Sequence, residues 1–132
     1  MIAQYWDETE DVLAQEIASD WPAFLELVRR TETSSSGRGI PAIELSDDKD
    51  ATCIFIRFEG GGCTVATGDS KGLAWPVEFN NGGCEYVHYD YFGSWSEVPA
   101  DLVIPREKAL AAVKSFLETG DISPSVLLLV RE

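Results

Sequence analysis

From Pro41 to Phe92 apolar and polar residues tend to alternate with a period of two, and short Gly, Asn and Asp clusters break the alternation. A strand turns successive side chains to opposite faces, so this period specifies β-structure with one face buried. The runs fall at about 41–46, 51–59, 63–68, 72–79 and 85–92. Between them lie Asp47-Asp48-Lys49-Asp50, Gly60-Gly61-Gly62, Gly68-Asp69-Ser70 and Asn80-Asn81-Gly82-Gly83. Breaks this short join antiparallel neighbours, and the segment reads as a meander. The alternation is clearest where Leu73, Trp75, Val77 and Phe79 face one way and Ala74, Pro76 and Glu78 the other.

The flanks read as helical. From Glu8 to Ile17, Val12, Leu13, Glu16 and Ile17 form a short stripe that predicts a first helix. Ser19-Asp20 before Trp21-Pro22 is a cap followed by proline in the first turn, and Trp21, Phe24, Leu25 and Val28 carry a second helix to about Thr31. Residues 33–39 read as a loop. After Ile104-Pro105, Ala109, Leu110, Val113, Phe116 and Leu117 make one stripe, and Gly120 is the expected left-handed cap. Ser125 to Arg131 is continuously apolar, which predicts a final strand at the centre of the sheet. With 132 residues the expectation is one domain, 1–132. Its class is α+β: a mostly antiparallel meander sheet with N-terminal helices and one C-terminal helix packed on one face, closed by a C-terminal strand.

Charge narrows the function. Ten Lys and Arg face 23 Asp and Glu, a formal net charge of −13. Nucleic-acid binders neutralise phosphates with cationic side chains, so this balance excludes nucleic acid as a direct partner and disfavours anionic membranes. A basic protein is instead drawn to such a field. The N-terminus carries neither a basic nor an apolar leader region, and no apolar run approaches the roughly 20 residues that cross a bilayer. A cytoplasmic protein is expected.

Catalytic chemistry finds little support. One histidine, His88, rules out two-histidine metal and phosphoesterase motifs. His88 and Asp90 share a strand face, yet Gly93-Ser94-Trp95 is not a nucleophile elbow. Cys53, Cys63 and Cys84 have no C-x-x-C pair. The meander separates them too widely for a zinc site or a disulfide, so no metal, cofactor or catalytic residue is expected.

One segment stands out. Residues 72–105 hold no Lys or Arg, five acids (Glu78, Glu85, Asp90, Glu97 and Asp101), and seven of the fourteen aromatics. Rigid rings supply contact area at low entropic cost, while acids with no base near them in sequence select a cationic partner. Alternation sets Tyr86, His88 and Asp90 on one face and Val87, Tyr89 and Tyr91 on the other. The candidate partner-binding residues are Glu78, Glu85, Tyr86, His88, Asp90, Trp95 and Glu97, with Asp47, Asp48 and Asp50 as a second patch.

The C-terminal half carries a resemblance. Glu97-Val98-Pro99, then Pro105, Ala109, Ala112, Phe116 and Thr119-Gly120, then Pro124-Ser125-Val126, resembles the E-x-P…P-x-x-x-A-x-x-A-x-x-x-F-x-x-T-G…P-x-x-V pattern of the bacterial immunity-protein family numbered one among polymorphic-toxin antidotes. It spans roughly residues 50–130. The resemblance implies a non-enzymatic protein that binds and occludes the catalytic domain of a cognate toxin, often a nuclease or a nucleic-acid deaminase. Such toxins handle polyanions, so their clefts are expected to be basic. Two rivals are a small ligand-binding domain or enzyme using the concave sheet, and a DNA mimic acting on a nucleic-acid-binding protein.

Overall fold

The backbone follows the turn chemistry through the middle of the chain and departs from expectation at both ends. The computed structural model describes residues 1–7, 12–34, 42–47, 51–58, 62–69, 72–76, 86–91, 94–99, 102–127 and 129–131. In chain order the elements are β1 (Ile2–Asp7), β2 (Val12–Ile17), α1 (Trp21–Ser34), β3 (Ile43–Ser46), β4 (Thr52–Arg57), β5 (Cys63–Asp69), β6 (Gly72–Pro76), β7 (Tyr86–Tyr91), β8 (Ser94–Pro99), α2 (Arg106–Thr119) and β9 (Leu129–Arg131). Seven strands form one antiparallel sheet in the order β2-β1-β3-β4-β5-β6-β9, and β7 pairs with β8 in a separate ribbon.

Strands β3 to β6 are the expected meander. Its turns close on backbone contacts, with the Phe58 N–H donating to the Gly62 carbonyl (3.0 Å) and the Asp47 N–H to that of Ala51 (3.1 Å). Gly68 is required where β5 turns into β6, since a Cβ there would lie 2.0 Å from the Gly72 carbonyl oxygen.

Three expectations are corrected. The first helix, placed over Glu8 to Ile17, is replaced by strand β2, which pairs with β1 from Ile2 opposite Ile17 to Asp7 opposite Val12. One helix therefore precedes the meander among the described residues, not two. A six-residue stripe fits both periods, and pairing with β1 decides between them. The run at 85–92 becomes β7 but joins β8 instead of the meander. The final strand is three residues long and sits at the sheet's end beside β6, not at its centre. Residues 124–126 form a turn, with the Val126 and Leu127 N–H groups donating to the Ser123 carbonyl at 2.9 and 3.1 Å. Leu127 is apolar because it enters the main core cluster rather than a two-sided strand.

Both helices carry the predicted caps. The Asp20 carboxylate accepts the Ala23 N–H at 2.9 Å, stabilising the start of α1. Gly120 ends α2 in the left-handed conformation at φ 82°, donating its N–H to the Phe116 carbonyl at 2.8 Å. Phe24, Leu27 and Val28 of α1 and Ala109, Ala112, Val113 and Phe116 of α2 join one buried cluster with Ala3, Leu45, Cys53, Phe55 and Val65. By register those strand residues lie on a single face of the sheet. Phe24 meets Phe55 edge-on at 5.7 Å and stacks on Trp21.

The opposite face is also apolar at its centre, where the sequence predicted a single buried face. Ala42, Ile54, Ile56 and Phe58 form a second buried cluster with Leu73, Trp75, Leu102 and Val103 packed against it.

Candidate partner-binding surface

Strand alternation fixes what the β7–β8 ribbon presents. Tyr86 stands opposite Pro99, His88 opposite Glu97 and Asp90 opposite Trp95. Residues directly across a ladder share a face, as do alternate residues along a strand. Tyr86, His88, Asp90, Trp95 and Glu97 thus belong to one face of one ribbon, while Val87, Tyr89 and Tyr91 belong to the other with Ser94, Ser96 and Val98. Glu97 is exposed. Strand β8 is an element the sequence reading missed, and it brings Trp95 and Glu97 into line with the β7 set.

The second patch is less coherent. Asp47 closes the turn from β3 to β4, its Oδ1 accepting the Ala51 N–H at 3.0 Å, so its carboxylate has a structural task. Glu78, Glu85, Asp48 and Asp50 lie outside the described residues.

A further surface was not anticipated. Ile2 is 48% exposed, Leu13 47% and Ile17 75%, on the sheet face away from the helices. Ile2 pairs across the ladder with Ile17, and half-buried Trp6 with Leu13. The alternation of Ile2, Gln4 and Trp6 was the signal that could have shown this face.

Enclosed chemistry is sparse among the described residues. A groove of about 530 Å³ is lined by Trp21, Arg106, Glu107, Leu110, Ala111 and Lys114. A smaller cavity of about 370 Å³ is lined by Met1, Ile2, Ile17, Ser46 and Asp47. Neither lining includes a histidine or cysteine. Cys53 and Cys63 are buried on the helix-side face, and neither is joined in a disulfide. Burial pushes the Cys53 thiol up to about 12, so it stays neutral and a poor nucleophile. Cys63 lies opposite Arg57, four residues along from Cys53 and so about 14 Å away at the usual rise, beyond disulfide reach. Among the described residues no three His, Cys, Asp or Glu side chains converge to hold a metal.

The family model of the immunity protein Imm1 matches residues 1–129. The chain belongs to the Imm1 family. The match extends the resemblance seen over 50–130 back across β1, β2 and α1, the region where local pattern misread a strand as a helix. Imm1 membership makes the chain an immunity protein, and its partner a cognate toxin. A comparison with curated proteins gives no match. No helix among the described residues is long and apolar enough to cross a membrane.

Proposed function

We propose that this Imm1 protein neutralises its toxin without catalysis, by one-to-one binding in the cytoplasm that covers the basic mouth of the toxin's catalytic domain. The binding face is that of the β7–β8 ribbon carrying Tyr86, His88, Asp90, Trp95 and Glu97, with Glu78 and Glu85 from the segment before it. What supports this reading is the register that aligns two acids and three amphipathic rings, within a 34-residue stretch free of Lys and Arg. Aromatic rings supply desolvated contact area, and the acids steer a cationic partner into place. A toxin that acts on nucleic acid, as a nuclease or a deaminase does, must hold phosphates with cations, and a chain of net charge −13 complements such a cleft. Asp47, Asp48 and Asp50 extend the acidic field beyond the ribbon.

The test is charge reversal. Asp90→Lys with Glu97→Lys should lower the association rate with the toxin domain at least about tenfold at low ionic strength, with the loss shrinking as salt is added. Stopped-flow binding and a protection assay in toxin-expressing cells read the two consequences. Unchanged kinetics and full protection would remove the ribbon from the interface.

A further inference from the structure

Strand β2 lies at one end of the sheet, and among the described residues nothing pairs with its outer edge. The Ala18 N–H donates to the Met1 carbonyl at 2.9 Å, which makes Met1 and Ala18 a hydrogen-bonded pair of the β1–β2 ladder. Such pairs alternate, so Val12, Ala14 and Glu16 turn their backbone groups toward β1. Leu13, Gln15 and Ile17 turn theirs outward. The same three residues lie on the sheet face away from the helices, where Leu13 and Ile17 are exposed beside Ile2 and half-buried Trp6.

An exposed apolar edge is a hazard that folded proteins usually blunt with lysine, proline or a bulge. Val12-Leu13-Ala14-Gln15-Glu16-Ile17 has neither Lys nor Pro, and its one charge, Glu16, lies on the helix side paired to Arg30 of α1. Acids stand at both ends of the strand: Asp7 opposite Val12 in the ladder, with Glu8, Glu10 and Asp11 between them in sequence, and Asp47 beside Ile2 and Ile17 around the 370 Å³ cavity. The four bases of residues 1–50 are Arg29, Arg30, Arg38 and Lys49, and none lies in β1, β2 or β3. An edge that is apolar in the middle and acidic at both ends fits an extended apolar segment with basic flanks. It does not suit a second copy of this chain, because two molecules of net charge −13 would bring like charges together at both ends.

We infer that the outer edge of β2 is a second docking site for the toxin domain, which adds an extended, basic-flanked segment to the sheet there. The inference rests on the proposed toxin-binding function and assigns a division of labour: the β7–β8 ribbon sets the encounter rate, and the β2 edge sets the residence time. Apolar contacts and main-chain pairing act mainly on dissociation, whereas exposed charges act mainly on association.

The experiment uses the full chain and, as probe, a catalytically inactive form of the C-terminal domain encoded by the gene immediately upstream. Leu13→Ser with Ile17→Ser removes the apolar contact without adding charge, and should raise the dissociation rate at least about 30-fold and leave the salt dependence of association unchanged. Both side chains are exposed, so the melting temperature of the free protein should hold. Amide exchange on the complex should slow at Leu13, Gln15 and Ile17. Wild-type dissociation from the double variant, or unprotected amides at those three residues, overturns the inference, and does so without touching the proposed function if Asp90→Lys with Glu97→Lys still slows association. Failure of the wild-type chain to bind the probe overturns both. A free protein that is dimeric, and becomes monomeric in the Leu13 and Ile17 variant, overturns the assigned occupant.

Discussion

The sheet face turned away from α1 and α2 is apolar over two regions that meet different fates. On β4, Ile54 and Ile56 are buried, covered from the same side by Leu102 and Val103 of the segment leading into α2 and by Leu73 and Trp75 of β6. On β1 and β2, Ile2, Leu13 and Ile17 are similar in type and stay in contact with water. The contrast teaches that apolar content alone does not mark the core. Cover does, and cover comes from segments distant in sequence.

The largest expected effect tests that contrast directly. Ile56 is 1% exposed and Ile17 75%. Ile56→Ala removes buried methyl and methylene groups and leaves a cavity, and should destabilise the protein by about 2–4 kcal/mol. Ile17→Ala removes the same atoms from a site already hydrated and should change stability by no more than about 0.5 kcal/mol. Urea denaturation followed by tryptophan fluorescence checks both. Equal losses would mean that the β1–β2 face is covered after all, and the contrast would collapse.

A smaller effect probes the cover itself. A Cβ on Gly62 would lie 2.5 Å from Cγ1 of Val103. Valine is stiff at χ1, so relief requires Val103 to move off the cluster it packs against. Gly62→Ala should cost about 1–3 kcal/mol. In a Val103→Ala background, where the obstructing methyl is gone, most of that added cost should vanish, and the double-mutant cycle would show coupling of about 1 kcal/mol or more. Additive losses would show that Val103 does not press on this turn.

The same contrast explains how much could be read from the chain. Local rules carried the parts governed by neighbours in sequence: the β3–β6 turns, the Asp20 cap of α1, the stripe of α2 and its Gly120 stop. They failed where the deciding partner lies far away. Val12, Leu13, Glu16 and Ile17 satisfy a helical spacing over six residues, and only pairing with β1 turns them into a strand. Ser125 to Arg131 read as a central strand because continuous apolarity does not distinguish burial between two layers from burial under a helix, where Leu127 lies. Of the candidate site, alternation gave Tyr86, His88 and Asp90 a common face. Strand β8 escaped notice because Gly93 before it, Ser94 at its start and Pro99 at its end are residues that ordinarily punctuate loops. The exposed β1–β2 face escaped for the opposite reason, since exposed apolar residues carry the same pattern as buried ones.

The smallest expected effect concerns what holds the open region in place. On its helix side, Glu16 of β2 accepts hydrogen bonds from Tyr5 of β1 at 3.1 Å and from Arg30 of α1 at 3.2 Å, with a second, shorter contact to Arg30. The hydrogen bond to Glu16 holds the Arg30 guanidinium above its ordinary value, so Arg30 stays charged across the working pH range. The pair is partly exposed, and exposed ion pairs contribute little because water screens them and ordering two long side chains opposes the gain. Glu16→Gln keeps a hydrogen-bonding side chain for Tyr5 and removes the charge. It should cost about 0.5 kcal/mol in low salt and less as salt rises, measured by urea denaturation at two ionic strengths. A loss that is large and independent of salt would show that Glu16 anchors β2 by geometry rather than by charge. In that case, amide exchange in the free Glu16→Gln protein would quicken along the whole of β2, including Val12, Ala14 and Glu16, whose N–H groups face β1. A purely electrostatic role leaves those three protected.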